Sequence, residues 1–345
     1  MKAFVTGASG FAGRRLVERL SAGGAAVTAM VPEGAAPFSD LEEVSTCFGM
    51  PELVDPGLPE RLQDVDVVFH CDAYFDMQGT AEAFRQANVT GTRLVLDAAL
   101  SAGVRRFVLL SSQAAGWDGH RLLEAGENPR YPAEYADPYS KSRAEAERLV
   151  LGTGRSGRIE TVALRPGWIW GPGDTEILPI LVRRALKSPL PLVGEGTAPV
   201  TTIYVDHLVD ALVAAATAPL AKGKAYYVSD DRGLTLREFL DLLLGAVGIV
   251  PQYRHIPGTM ARAAAAVMQA AAALVGPPSP IIRLLAGMAE AGLTHDVQPA
   301  RRDLGYRTRV DLDEGLANLT AWAQTLGGVS QLARLRLSRP APEDG

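Results

Sequence analysis

Hydrophobic and polar positions along the chain follow two periods in turn. Short apolar runs bounded by glycine, proline or acidic residues read as buried strands: Lys2–Thr6, Ala25–Val31, a short one near Thr46–Gly49, Asp66–Cys71, Phe107–Leu110, Glu160–Leu164 and Ala225–Val228. Between them, apolar residues recur at helical intervals after Gly13, over Thr80–Leu100, after Tyr139 and over Asp206–Ala216. Strands and helices alternating in this way predict an α/β fold with a parallel sheet covered on both faces. The pattern then changes. Proline and glycine become frequent over 172–202 (Pro189, Pro191, Gly194, Gly196), Ile203–Val205 leads back, and about 230–328 is mainly helical, with a capping box at Thr235–Glu238.

The connection after the first strand carries candidate chemistry. Gly7-Ala8-Ser9-Gly10-Phe11-Ala12-Gly13 joins that strand to a helix beginning Arg14-Arg15-Leu16. A strand, a glycine turn and a helix present backbone N–H groups and a positive helix end to a pyrophosphate. Gly7 lets the chain turn, Gly10 lets the backbone approach phosphates, and Gly13 lets the helix pack on the strand. An acid at the end of the second strand would bind the adenosine ribose, and a nearby arginine would take a 2′-phosphate. Val31 and Pro32 stand there instead; Glu33 could serve after a loop shift, and Arg14 could face a phosphate. The expected cofactor is NAD or NADP, with the lean toward NADP. The expected architecture is a Rossmann-type doubly wound sheet over 1–171, to which 203–230 returns. A smaller, mainly helical C-terminal substrate domain takes 172–202 and 231–328, and 329–345 is a tail.

Composition narrows the picture. The chain has 345 residues, 47% of them hydrophobic, enough for a sizeable core. A net charge of −5 lacks the electrostatic footprint of a nucleic-acid binder. Cys47 and Cys71 have no metal-ligand spacing and suggest no disulfide framework, and the first strand leaves no room for a signal peptide, so a cytoplasmic protein is expected. Thr259–Val275 carries one charge, Arg262, before Pro277-Pro278. As a helix it spans about 26 Å, short of the ~30 Å hydrocarbon core. It reads as an Ala-rich helix packed on the domain; the alternatives are a lid over an apolar substrate or a surface in peripheral membrane contact.

Moving a hydride to or from a nicotinamide requires a proton to move as well. A tyrosine can supply it when its pKa is drawn down from about 10 by a cation four residues on along one helix face. A nearby serine would hold the substrate oxygen. Tyr139, at a helix entrance, and Ser111-Ser112, at a strand end, fit both demands.

At these residues the chain resembles the extended short-chain dehydrogenase/reductase superfamily over about 1–328. The stretches that carry the resemblance are TGASGFAG (6–13), VDVVFH (65–70), NVTGT (88–92), FVLLSS (107–112), DPYSKSRAEAE (137–147), LRPGWIWGPGD (164–174), YVDHLVDA (204–211) and ARRDLGYRTRVDLDEGL (300–316). The resemblance implies Ser112 as the substrate-orienting serine and Tyr139 as the acid/base. It assigns cofactor contacts to Thr6, Gly7, Ser9, Gly10, Phe11, Gly13, Arg14, Asn88 and Pro166, with Asn88 matching the family's active-site asparagine; it implies no metal. The family pattern is Tyr-x-x-x-Lys, whereas this chain has Tyr139-Ser-Lys141-Ser-Arg143, so Arg143 takes the lysine's place and Lys141 faces elsewhere. Arginine keeps the charge, but its planar fork does not superpose on an ammonium.

Sugar-nucleotide members carry an arginine where this chain has Val200, which counts against a diphosphate substrate. The apolar 259–275 and 281–288 stretches, with Phe75, Met77, Trp117, Trp168 and Trp170 expected on the substrate side, resemble the 3β-hydroxysteroid/sterol dehydrogenase branch. The resemblance implies an NAD(P)-dependent oxidoreductase interconverting a secondary alcohol and a ketone on a small hydrophobic substrate: a sterol or steroid, a terpenoid, or a long-chain β-keto/β-hydroxy acid. A nucleotide-sugar epimerase/dehydratase and a non-catalytic dinucleotide-binding protein are the alternatives. It also implies a homodimer through the helices at 80–102 and 138–152.

Overall fold

The computed structural model describes residues 1–53, 55–76, 79–119, 122–125, 131–135, 137–230, 232–257 and 292–335. Seven strands form the central sheet: β1 (Lys2–Thr6), β2 (Ala26–Val31), β3 (Val44–Phe48), β4 (Val67–His70), β5 (Arg106–Leu110), β6 (Glu160–Pro166) and β7 (Lys224–Val228). Their order is β7-β6-β5-β4-β1-β2-β3, and every neighbouring pair is parallel. From β1 the chain steps outward to β2 and β3, then returns to β4 on β1's other side. That reversal opens a crevice at the carboxyl ends of β1 and β4, where ligands bind in folds of this kind.

Successive side chains on a strand face opposite ways. Ala3, Val5, Val67, Phe69, Val108 and Leu110 enter one core, shared with α1 (Phe11–Ala22) and a helix at Val205–Ala215. Phe4, Val68, Phe107 and Leu109 enter the other, with Leu96 and Ala99 from a helix at Gly91–Ser101 and Val150 from the helix Pro138–Gly154. We number the last three in chain order: α2 is Gly91–Ser101, α3 Pro138–Gly154 and α4 Val205–Ala215. Arg15–Asp206 (2.5 Å) and Arg19–Asp210 link α1 to α4.

The helix expected over Thr80–Leu100 is present, with a difference. Thr80 caps a short turn at Ala81–Phe84, and Arg85–Thr90 then forms a π-helical turn before α2. That wider turn brings Asn88 inward. The capping box at Thr235–Glu238 opens the helix Leu236–Ala246. This helix, with Leu178–Lys187 and Leu312–Thr325, packs around Trp170, Leu178, Tyr204, Phe239 and Leu319.

Packed chain continues past residue 328, where the sequence suggested a tail. Val329–Leu332 is helical and Leu332 is fully buried in that third core. Val329, Leu332 and Leu335, three residues apart, place three apolar side chains along one face. The stretches Thr259–Val275 and Ile281–Met288 lie outside the described residues. Among those described, no helix is long and apolar enough to cross a membrane.

Candidate active site

The crevice is a cleft floored by the glycine turn. Gly7, Gly10, Phe11 and Gly13 line it. Gly7 has φ +63°, and a Cβ there would lie 2.7 Å from Asp72 Cα; one on Gly13 would lie 2.0 Å from the Gly7 carbonyl oxygen. Neither position accepts a side chain, so α1 starts pressed against the turn. Its N-cap, Gly10, offers no side-chain acceptor, and the first turn holds no acid. Nothing within the helix itself offsets its positive end. Glu176, from the segment after β6, reaches this end: its Oε1 accepts the Phe11 N–H at 3.4 Å. Burial pushes the Glu176 carboxyl above its ordinary range, opposed by the Phe11 N–H and reinforced by Asp72. Nearby, Asp174 accepts backbone N–H bonds from Glu176, Ile177 and Leu178 at 2.9, 2.9 and 3.2 Å. Burial pushes its carboxyl up to about 7 despite them.

The opposite wall carries Ser112, Tyr139 and Arg143. Ser112 ends the run from β5, and its Oγ accepts the Ala114 N–H at 3.2 Å, opening a tight turn over Gln113–Gly116. Tyr139 is the second residue of α3, whose start is set by Pro138 and by Asp137, which accepts the Ser140 N–H at 2.8 Å. The Tyr139 ring is buried edge-on against Phe75 and Phe84, with centroids at 5.2 and 5.8 Å. Burial pushes its phenol above the ordinary value; the Arg143 charge and hydrogen bonding by Ser112 pull the other way. The downward shift expected from the cation is thus present, but burial outweighs it. Arg143 lies one turn on along the same face. Its Nη2 donates to the Leu110 carbonyl, while Nε and Nη1 are buried with no partner among the described residues. Lys141 points away, 64% exposed beside Glu145.

Other residues singled out by the sequence fall behind or beside the cleft. Asn88 is fully buried: its Oδ1 accepts the Tyr74 N–H at 2.7 Å, and its Nδ2 donates to Ser142 Oγ at 3.0 Å. Ser142 in turn donates to the Tyr139 carbonyl at 2.8 Å. Asn88 therefore braces α3 and does not line the cleft. Thr6 bonds His70 Nδ1 at 2.7 Å, and His70 Nε2 meets Thr92 Oγ1 at 3.0 Å, again beneath the surface. Ser9 and Arg14 are outside the lining; Arg14 lies 5.1 Å over Phe38 and pairs with Glu18 at 3.1 Å. Pro166, Phe75 and Trp168 do line it. Trp117 packs in the buried cluster around Tyr139, whereas Trp170 packs on Tyr204 at 5.1 Å in the C-terminal core. Met77 is outside the described residues. Val200 pairs with Leu234 and joins an apolar cluster.

Two further features were not foreseen. Behind Ser112, Glu147 and Arg165 form a fully buried ion pair at 2.7 Å, with Ser111 and Tyr131 hydroxyls donating to Glu147 at 2.6 and 2.7 Å. Burial alone would raise the Glu147 carboxyl; Arg165 and the hydroxyl donors hold it below the usual range. Gln113, Asp174 and Glu176 also line the cleft. Asp174 closes a stretch that carried the family resemblance, but no role for it could be read from spacing.

The buried Arg143 donors and the glycine turn at the start of α1 fit a dinucleotide's ribose and pyrophosphate. Fold and site together define an NAD(P)-dependent dehydrogenase/reductase of the extended short-chain class. Within it, residues 4–257 match the 3-beta hydroxysteroid dehydrogenase/isomerase family, and the chain belongs to that family. It is similar to the 2-alkyl-3-oxoalkanoate reductase of Stenotrophomonas maltophilia, 35% identical over 332 residues covering 93% of this chain and 99% of that protein. The 2-alkyl-3-oxoalkanoate reductase of Shewanella oneidensis is 30% identical over 333 residues, 92% of this chain and 85% of that protein. Among solved structures, the dTDP-glucose 4,6-dehydratase DesIV of Streptomyces venezuelae superposes with a TM-score of 0.74 at 23% identity, covering 94% of this chain and 97% of that one. That likeness is one of fold.

Proposed function

We propose that the protein interconverts a ketone and a secondary alcohol on a hydrophobic substrate, with Tyr139 as acid/base. The observation that carries this reading is the Ser112–Tyr139–Arg143 set facing the glycine turn across one cleft. Bound nicotinamide supplies or accepts the hydride. Ser112 holds the carbonyl oxygen, and Tyr139 passes its phenolic proton to that oxygen or takes it back. Arg143, two of whose buried donors have no partner among the described residues, holds ribose hydroxyls and favours the phenolate by its charge. Phe75, Ile169 and Ile177 give the cleft an apolar wall. The similarity to 2-alkyl-3-oxoalkanoate reductases favours a long-chain β-keto or β-hydroxy acid within the sterol, terpenoid and fatty-acid range. With Val31 at the end of β2, an exposed Glu33 and Arg14 close by, the cofactor reading leans to NADP.

The test is the absorbance change of NADH and NADPH with purified protein, offered 3-hydroxy and 3-oxo fatty acids, hydroxysteroids, sterols and nucleotide sugars. Turnover of a lipid alcohol or ketone is expected. Product from a nucleotide sugar alone would overturn the reading in favour of an epimerase or dehydratase. Tight cofactor binding with no product anywhere would favour a non-catalytic role.

A further inference from the structure

Gln113 directly follows Ser112, is 5% exposed and lines the cleft. Its Oε1 is fully buried without a partner, and its carboxamide makes no hydrogen bond among the described residues. An amide buried in this state forfeits its hydration and receives nothing in return, which native cores seldom tolerate unless a ligand completes the bond. Neither the fold nor the oxygen-holding role of Ser112 requires an amide there. The turn that begins at Gln113 is capped by Ser112, and its next residues are alanines.

The carboxamide lies one residue from the serine that holds the reacting oxygen, about 3.8 Å along the backbone. Both residues line the same cleft, so Ser112 and the carboxamide can engage two neighbouring polar groups of one substrate. A primary amide carries two N–H donors that an ionised, acceptor-only carboxylate can take, and a half-turn about its last bond exchanges nitrogen and oxygen, so the buried position can hold the donor. The only cation lining the cleft among the described residues, Arg143, is committed to the Leu110 carbonyl and the cofactor side. Phe75 and Ile177 supply no competing partner.

We propose that Gln113 is a specificity-determining residue that receives the carboxyl group of a 3-oxo or 3-hydroxy acid and so selects it over a plain ketone or alcohol. The inference rests on the oxidoreductase reading above and narrows its substrate class. A substrate lacking the second group leaves the buried amide unpaired, the situation in which hydrogen-bonding sites discriminate most strongly.

The experiment compares 3-hydroxydodecanoate with 2-undecanol, its counterpart without the carboxyl group, in wild type, Gln113→Leu and Gln113→Glu. It reads kcat/KM for each, cofactor affinity by fluorescence titration, and binding of the acid to cofactor-loaded protein by calorimetry. In the leucine variant the acid-to-alcohol ratio of kcat/KM is expected to fall roughly ten- to hundredfold, and in the glutamate variant further, through like-charge repulsion. A purely structural role would depress both substrates together and leave the ratio unchanged, which overturns the proposal. So does a change confined to cofactor affinity, which would assign the amide to the nicotinamide. If wild type turns over neither compound, the oxidoreductase reading fails on its own. Calorimetry then decides for Gln113: acid binding lost in the leucine variant supports its role, and equal binding overturns it.

Discussion

At Tyr139 two opposing influences meet. Burial holds the phenol protonated, while the Arg143 charge and Ser112 draw the proton off. Tyr139→Phe keeps the ring packing against Phe75 and Phe84 and removes the hydroxyl with its proton. We expect kcat to fall by about 10²–10⁴ with cofactor affinity preserved, as read by steady-state kinetics and fluorescence titration. Glu176 acts at the other end of the cleft, on the Phe11 N–H that the proposed cofactor site offers to a pyrophosphate. Its pKa is raised, so it ionises as pH climbs through that raised value and then competes with the phosphates. Cofactor affinity should therefore weaken with rising pH. Glu176→Gln should tighten binding about three- to tenfold on the alkaline side and flatten the profile; an unchanged Kd–pH curve would exclude the competition. That Tyr139, Ser112 and Arg143 face one cleft was legible, because the strand end, the helix entrance and the family's Tyr-x-x-x-Lys spacing place them there. Gln113 and Glu176 were not, since an unpaired amide and a carboxylate on a helix end are properties of a surrounding that spacing does not describe.

Strands were readable because each is a short apolar run cut off by glycine, proline or acid, and the central ones, buried on both faces, needed no alternation. The π-helical turn at Arg85–Thr90 was invisible, because one extra residue in a helical turn leaves the apolar pattern almost unchanged. Its consequence is large: it turns Asn88 toward Ser142 and so fixes α3 from below. The Glu147–Arg165 pair fixes α3 from the sheet side, joining it to β6 and, through Ser111, to β5. Glu147→Ala would leave the Arg165 guanidinium buried without its carboxylate. We expect a loss of about 3–5 kcal/mol in urea-unfolding free energy, well beyond a surface change; a loss below 1 kcal/mol would mean that the Tyr227 hydroxyl, which accepts from Arg165 Nη1 at 3.0 Å, suffices to hold the cation.

Across the whole molecule, the C-terminal part returns to the sheet through His295, whose ring lies against Tyr227 of β7, centroids 4.0 Å apart and planes tilted by 45°. Burial and the Arg165 charge push its pKa down to about 3 from an ordinary 6.5. A depressed histidine stabilises the fold above the unfolded pKa, and that contribution drains away as pH falls from 6.5 toward 3. Its share amounts to about 2 kcal/mol by pH 5. His295→Gln should remove this part of the acid sensitivity, visible as a shallower fall of Tm between pH 7 and 5; an identical slope would deny His295 the role. The sheet also has a history in time. β6 ends at Pro166, and the strand that covers its edge, β7, begins only at Lys224. As the chain leaves the ribosome, the strand beside Ser112 waits with unpaired backbone groups while residues 167–223 are made. Slow or paused translation across that interval would prolong the one stage at which β6 can pair with a neighbouring nascent chain.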